Sequence, residues 1–96
     1  MRRPEFRGKF RRDLKRADKG LYSAVLRKGG ELEKVVNMLA LNIPLPVKYR
    51  DHPLHGEYEG SRECHIMPDF LLIYTLVGDD VLRLERLGSH AELFGM

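Results

Sequence analysis

The sequence predicts a two-layer α+β domain in which an N-terminal helical hairpin packs on a small antiparallel, partly mixed sheet. Helical periodicity is confined to the first half of the chain, and strand-like runs fill the second half. With 96 residues, of which 43% are hydrophobic, the chain can bury one compact core. We therefore expect a single domain over residues 1–96.

Two apolar stripes at three-to-four spacing predict the helices. The first begins after Gly8 and consists of Phe10, Leu14, Ala17 and Leu21; the second consists of Leu32, Val35, Val36, Leu39 and Ala40. Gly20 is expected to interrupt the first helix, which would resume over 21–28 and end at Gly29-Gly30. Pro44 and Pro46 place the end of the second helix near residues 41–42.

Three strands are predicted after the turn-rich connection 44–60. Ser61–Met67 alternates, Phe70–Val77 is apolar on both faces, and Val81–Leu87 follows a hairpin turn. Residues 2–7 predict a short edge strand, although Pro4 weakens it. In the last strand we expect Arg86 to continue the apolar face formed by Leu82 and Leu84.

The charge is divided unevenly along the chain. Residues 1–48 carry 13 Lys and Arg against 5 Asp and Glu, whereas residues 49–96 carry 4 against 9. A basic block of this kind is typical of proteins that bind polyanions, and a solvated helix face is the alternative interpretation. The candidate RNA-binding cations are Lys9, Arg11, Arg12, Lys15 and Arg16.

The location that the composition favours is the cytoplasm. Cys64 is the only cysteine, so no internal disulfide is possible, and a buried thiol in a reducing compartment is expected. No apolar run approaches the ~20 residues of a membrane span, and the start of the chain lacks a signal-peptide pattern. No membrane partner is expected.

Three histidines, an aspartate and an arginine are candidates for metal-free RNA cleavage. That reaction needs a base for the 2′-hydroxyl, an acid for the leaving 5′-oxygen and a cation for the phosphorane. The candidates are His52, His65, Asp69 and His90 for proton transfer, and Arg86 for the phosphate. Each also has a structural alternative: a surface or hydrogen-bonded histidine, a turn former, a helix cap, or an ion pair of Arg86 with Glu63 or Glu85.

A zinc hydrolase is the competing chemistry, since three histidines and an aspartate are possible metal ligands. The tight pairings typical of such sites, His-x-His, His-Glu-x-x-His and a cysteine pair, are missing. We therefore expect no metal and no cofactor. His55 and Tyr58 lie in the same loop as His52, where they are equally suited to contact RNA or to remain solvated.

Several linked motifs, taken together, resemble the YafQ-type toxins of the RelE/ParE superfamily. They are Pro44-Leu45-Pro46, Tyr49-Arg50-Asp51-His52-Pro53-Leu54, Gly60-Ser61-Arg62-Glu63-Cys64-His65-Ile66, Pro68-Asp69-Phe70-Leu71-Leu72-Ile73-Tyr74 and Leu84-Glu85-Arg86-Leu87-Gly88-Ser89-His90-Ala91-Glu92-Leu93-Phe94. The match is close over residues 44–95 and looser over residues 6–14 and the second helix.

The resemblance implies a toxin of a bacterial type II toxin–antitoxin system that cleaves messenger RNA on the ribosome. It implies a cognate antitoxin that holds the toxin inactive, with operator DNA contacted only through their complex, and the small superfamily fold. By the same resemblance, His52, His65, Asp69 and His90 are implicated in catalysis, and Arg86, Phe70 and Phe94 in binding or placing the RNA.

Two departures from the family pattern concern the site. Phe70 stands where the family usually has tryptophan, so its base stacking would involve less contact area. The segment 20–30 is longer than the usual helix connection and has no function assigned by the resemblance. The alternative function is a non-catalytic superfamily member that inhibits another target such as DNA gyrase, or that acts only with its antitoxin in DNA-binding repression. Binding alone would not need three histidines at these positions.

Overall fold

In the computed structural model, which describes residues 1–95, helices cover a five-stranded sheet. The strands are β1 (Arg3–Phe6), β2 (His52–Pro53), β3 (Arg62–Met67), β4 (Phe70–Val77) and β5 (Val81–Gly88), and the helices are α1 (Gly8–Asp18), α2 (Glu31–Ala40) and α3 (His90–Phe94). The strand order is β1-β5-β4-β3-β2. β1 runs parallel to β5 and the other pairs are antiparallel, so the predicted α+β class with a partly mixed sheet is confirmed.

The main core lies between one face of the sheet and the helices α1 and α2. Phe10 of α1 and Val35 and Leu39 of α2 are buried against Leu72 and Leu84 of the sheet. Burying side chains of this size contributes roughly 1.5–3 kcal/mol each. The predicted stripe of α2 therefore faces the core, as do Phe10, Leu14 and Ala17 of α1. Leu21 lies beyond the end of α1 and is 88% exposed, so its predicted place in the first stripe is wrong.

The connection between the helices differs from the prediction. Residues 21–28 do not resume the first helix; they contain only a 3₁₀ turn, Ser23–Leu26, which contacts both α1 and α2. Val25 and Leu26 of this turn pack against the main core. The two helices are thus joined through a packed turn.

A second, smaller apolar cluster covers the opposite face of the sheet. Leu71 and Ile73 of β4 are fully buried there beneath Leu93 of α3, with Phe94 at the margin. This confirms that β4 is a central strand covered on both sides. Ser89 starts α3 with a capping box, because it accepts from the Glu92 amide while the Glu92 carboxylate accepts from the Ser89 amide.

A bulge in β5 corrects the expected placement of Arg86. Ile73 pairs with Arg86 but Tyr74 pairs with Leu84, so Glu85 is an additional residue in the ladder. Leu84 remains in the main core, whereas Arg86 shares the opposite face with its partner Ile73. A strict two-residue period cannot reveal a bulge, and for that reason the prediction from alternation was wrong.

The edge of β5 beyond Leu84 is closed by a side chain of α1. β1 ends at Phe6, which pairs with Leu84, and on that side no other strand within residues 1–95 pairs with residues 85–88. Asp13, only 2% exposed, accepts the Leu87 amide proton at 2.9 Å and pairs with Arg86 through Oδ2–Nε at 2.8 Å and Oδ1–Nη2 at 3.2 Å. One carboxylate therefore accepts a main-chain hydrogen bond at the edge of the sheet and balances the charge of Arg86.

Replacing this carboxylate tests its importance for stability. Asp13→Asn should lower the free energy of unfolding by about 3 kcal/mol, because it leaves a partly buried guanidinium without its counter-charge. Urea denaturation would measure the change. Asp18→Asn, on an exposed residue of the same helix, is the matched control and should alter stability little. Equal effects of the two variants would contradict the role given to Asp13.

A second polar contact links the loop before β2 to the helix α2. The Tyr49 hydroxyl donates to Glu31 Oε2 at 2.5 Å, and this bond, with burial, raises the pKa of Tyr49 to about 12. Since Arg50 and His52 follow directly, the contact positions them relative to α2.

The raised tyrosine pKa predicts a dependence of stability on alkaline pH. A phenol whose pKa is near 10 in the unfolded chain and about 12 in the folded one contributes stability below pH 10 that is lost as the pH rises toward 12. Urea midpoints measured from pH 9 to 11 should fall more steeply for the wild type than for Tyr49→Phe. Parallel slopes would show that the hydroxyl has no such role.

Candidate active site

Three of the predicted residues, His52, His65 and His90, meet at one end of the sheet. His65 is on β3, on the same face as its partner Leu71, and His90 begins α3. The ring centroids of His52 and His65 are 6.2 Å apart, and those of His65 and His90 are 5.6 Å apart in an edge-to-face arrangement. The long loop 44–60, the hairpin and the C-terminal helix thus each bring one imidazole.

Glu63 lies between two of these histidines and is a site residue that the sequence interpretation missed. Its side chain is buried, and its Oε1 is 3.2 Å from His65 Nε2 and 3.7 Å from His52 Nε2. A buried carboxylate stabilises positive charge on either imidazole. The signal was available, because Glu63 is two residues before His65 in a strand and therefore shares its face.

The loop backbone fixes the proton position on His52. Its Nδ1 is 2.6 Å from the Arg50 carbonyl oxygen, which only accepts, so Nδ1 carries the proton. Nε2 then faces Glu63 and pairs with it when His52 is protonated. Arg50 adopts the left-handed conformation, with φ of 49° and ψ of 42°, and this turns the chain so that His52 enters β2.

His90 is paired with Asp69, the residue at the turn between β3 and β4. Asp69 Oδ1 accepts from the His90 amide at 3.0 Å and from His90 Nδ1 at 2.6 Å. These two bonds lower the pKa of Asp69 below its ordinary value, so it is ionised at neutral pH. The aspartate holds the proton on Nδ1, and Nε2 is the nitrogen left to exchange a proton with a substrate.

Arg86 occupies the same row of the sheet as Glu63. Ile73 pairs with both residues, so their backbones are two strands, about 10 Å, apart. Arg86 also donates to the Tyr58 hydroxyl at 3.4 Å. The hydrogen bonds to Asp13, the largest cause, together with the bond to Tyr58, raise the pKa of Arg86 despite the opposing effect of burial. The sequence left pairing with Glu63 or Glu85 open; Arg86 pairs with Asp13 instead.

The prediction that Phe70 stacks on RNA is wrong for this fold. Phe70 is 2% exposed and belongs to the main core. Tyr22 covers it, with ring centroids 4.9 Å apart and planes 24° from parallel. No base can reach the Phe70 ring while Tyr22 is in place.

Phe94 is only partly buried and meets Tyr58 edge-on at 6.0 Å, which leaves it at the surface near Arg86.

The five basic residues predicted on α1 have different surroundings. Arg11 lies over the Phe6 ring, and Arg16 pairs with Asp13 at 3.1 Å and Glu92 at 2.9 Å. Within residues 1–95, the exposed side chains of Lys9, Arg12 and Lys15 form no ion pair.

A cavity of about 680 Å³ connects part of this basic surface with Arg86. Lys9 and Arg12 line it together with Tyr58 and Arg86. The cavity is also lined by four glutamates, Glu5, Glu57, Glu59 and Glu85, so the α1 cations and Arg86 border one cavity of mixed charge. His55 is exposed on the neighbouring loop.

The cluster also has the ligand types for a metal ion. One oxygen of Glu63 and one nitrogen each of His65 and His90 lie within 4.8 Å of one another. Two imidazoles and a carboxylate match a three-ligand site with an open position. His65 and His90 are also candidates for proton transfer, and a ring nitrogen that binds a metal ion cannot exchange a proton at the same time.

No helix within residues 1–95 is both long enough and apolar enough to cross a membrane.

Comparisons with known proteins place the chain in a family. The family described as bacterial toxin of type II toxin-antitoxin system, YafQ, matches residues 2–95. The mRNA interferase toxin YafQ of Escherichia coli K12 is 41% identical over 92 residues, covering 95% of this chain and 94% of the relative. The crystal structure of the E. coli DinJ-YafQ complex superposes with a TM-score of 0.80 at 40% identity, covering 99% and 100% of the two chains. A metal-bound toxin from Helicobacter pylori superposes with a TM-score of 0.81 at 43% identity, covering 98% and 100%. The chain belongs to the YafQ family of type II toxin–antitoxin toxins.

Proposed function

We propose that this chain is an mRNA interferase, a ribosome-dependent endoribonuclease that inhibits translation in the cytoplasm. The observation that carries the proposal is the pairing of each of two adjacent imidazoles with its own carboxylate, His90 with Asp69 and His65 with Glu63. The name of the E. coli relative, mRNA interferase toxin, agrees with this enzyme class.

His90 is the proposed general base. The bond to Asp69 fixes the proton on Nδ1, so Nε2 can accept the proton of the ribose 2′-hydroxyl. Asp69 itself is a poor proton donor at neutral pH, because its hydrogen bonds keep it ionised. It is a positioning residue that orients the imidazole.

The general acid is proposed to be His65 or His52. Both face Glu63, a buried carboxylate whose field is screened less than that of exposed Asp69. A protonated imidazole at either position has Glu63 as its counter-charge. It would donate to the leaving 5′-oxygen, and the products are a 2′,3′-cyclic phosphate and a 5′-hydroxyl.

Arg86 is proposed to stabilise the charge of the phosphorane. Of its five N–H groups, three are used by Asp13 and Tyr58. The two that remain are available to phosphate oxygens, and Asp13 holds the planar group in place. Phe94 and the exposed cations Lys9, Arg12 and Lys15 would hold the RNA, with an affinity that falls steeply as salt rises.

The partners are proposed from the same surfaces. The E. coli relative forms a complex with DinJ, and we infer that a cognate antitoxin covers the histidine cluster or the basic helix of this chain. An acidic segment fits the helix and an apolar element fits the margin of α3. Ribosome and messenger RNA are the target, and operator DNA is contacted only through the complex with the antitoxin.

Removing the base tests the catalytic assignment. His90→Gln should lower mRNA cleavage by about 10²–10⁴-fold, because glutamine cannot accept the proton. Primer extension on an mRNA in a translating extract measures the cuts. His55→Gln, on an exposed histidine of the neighbouring loop, is the matched control and should cleave normally. Full cleavage by the His90 variant would refute the assignment.

Metal removal separates this mechanism from a metal-assisted hydrolase, which the Glu63–His65–His90 cluster favours as the second candidate. Purified toxin should keep its full rate after it is stripped with EDTA and desalted, because side chains alone transfer the protons. Adding Zn²⁺ should slow cleavage, because the ion occupies those nitrogens. Activity that disappears on stripping and returns with Zn²⁺ would establish the second candidate instead.

A further inference from the structure

The segment that joins α1 to α2 presents an aromatic side chain beside the proposed active site. Tyr22 lies just before the 3₁₀ turn Ser23–Leu26. The segment is tightly packed, because a Cβ atom at Gly30 would lie 2.6 Å from the Val25 carbonyl oxygen. Tyr22 is held in place because its side chain packs against the main core and its carbonyl oxygen accepts from the Val25 amide at 3.0 Å.

Tyr22 has one covered side and one open side. Its ring stacks on buried Phe70, yet the residue is only partly buried and lines a surface cavity of about 370 Å³. Its hydroxyl forms no hydrogen bond to any of residues 1–95. An aromatic face and a hydroxyl group are both available to a ligand.

The same cavity adjoins the pair proposed for catalysis, Asp69 and His90. It includes Asp69, whose Oδ1 is 2.6 Å from His90 Nδ1, and Ser89, the residue before His90. Arg16 also lines the cavity, but its charge is already matched by Asp13 and Glu92. Glu92 lines the cavity as well, so its rim has two carboxylates, Asp69 and Glu92, against one guanidinium. An aromatic surface beside a net negative rim suits an uncharged nucleobase better than a phosphate.

We propose that this cavity holds the base of a nucleotide flanking the cleaved bond, with Tyr22 as its stacking surface. The inference rests on the proposed function. A base next to the cleaved phosphodiester must lie within one nucleotide of the proton-transfer groups, and the cavity begins at Asp69. Its volume is within the ~300–1,000 Å³ usual for ligand pockets. Tyr22 thus performs the stacking that the sequence assigned to Phe70.

Binding is tested directly with a fluorescent variant. The chain has no tryptophan, so Tyr22→Trp introduces a single fluorophore at the cavity. Titration with a short RNA that carries 2′-O-methyl riboses, which cannot be cleaved by their own 2′-oxygen, should quench its emission with saturation. Val77→Trp is the control, since Val77 ends β4 seven residues from Phe70, about 23 Å away. Its emission should not change.

The effect on cleavage is tested with two substitutions. Tyr22→Phe keeps the ring and should keep the pattern of cut sites. Tyr22→Leu keeps an apolar cover over Phe70 but removes the stacking surface, so it should raise KM about 10-fold and broaden the base preference at the cut, with little change in kcat. Urea midpoints for both variants show whether the fold is intact.

The outcomes separate this inference from the function on which it rests. If wild-type protein makes no ribosome-dependent cuts, the proposed function fails and the subsite fails with it. If the wild type cuts, but Tyr22→Leu keeps the same sites and KM and the tryptophan at position 22 is not quenched by RNA, only the subsite is overturned. Quenching by purified antitoxin but not by RNA would also overturn it, and would assign the cavity to the antitoxin.

Discussion

The site depends on one buried carboxylate, that of Asp13. It accepts hydrogen bonds from Arg86, from the Leu87 amide and from Arg16. These bonds hold α1 against β5 beyond the point where the pairing with β1 ends. Arg16 extends the network, since it also pairs with Glu92 of α3. The same carboxylate lies at a sheet edge, orients Arg86, the arginine proposed to bind phosphate, and links the basic helix through Arg16 to the helix that carries His90. Stability and chemistry therefore share a single contact, because a buried charge must be paired to persist.

A common arrangement governs the proton-transfer groups. Each imidazole has a fixed partner on one nitrogen: the Arg50 carbonyl for His52, Glu63 for His65 and Asp69 for His90. The partners differ in burial, since Glu63 is 5% exposed and Asp69 lies at the surface. Three identical side chains are thus given unequal electrostatic surroundings, and this inequality is the basis for assigning them different roles.

Much of the fold and part of the site could be predicted from the sequence. The helical stripes, the hairpin strands and the family motifs identified the layers, and the predicted family is confirmed. The gathering of His52, His65 and His90 followed from the resemblance and not from spacing.

The position of Arg86 could not be predicted, because the β5 bulge leaves no trace in apolar alternation. The burial of Phe70 by Tyr22 was also hidden, since it depends on how the 20–30 segment packs. Asp13 resembled any other charged residue on a polar helix face until its partners, more than 70 residues away, were known.

The parallel pairing of β1 with β5 has a consequence for when the toxin becomes active. This pair joins Arg3 to Val81 and Phe6 to Leu84, so the first strand made finds its partner only near the end of synthesis. The contacts that position Arg86 and His90 also join separate parts of the chain, with 73 residues between Asp13 and Arg86 and 21 between Asp69 and His90. A nascent chain lacks a complete site until α3 has been made. Long-range pairings of this kind also form slowly compared with helices. The order of synthesis therefore postpones assembly of the site until nearly all of the chain has been made.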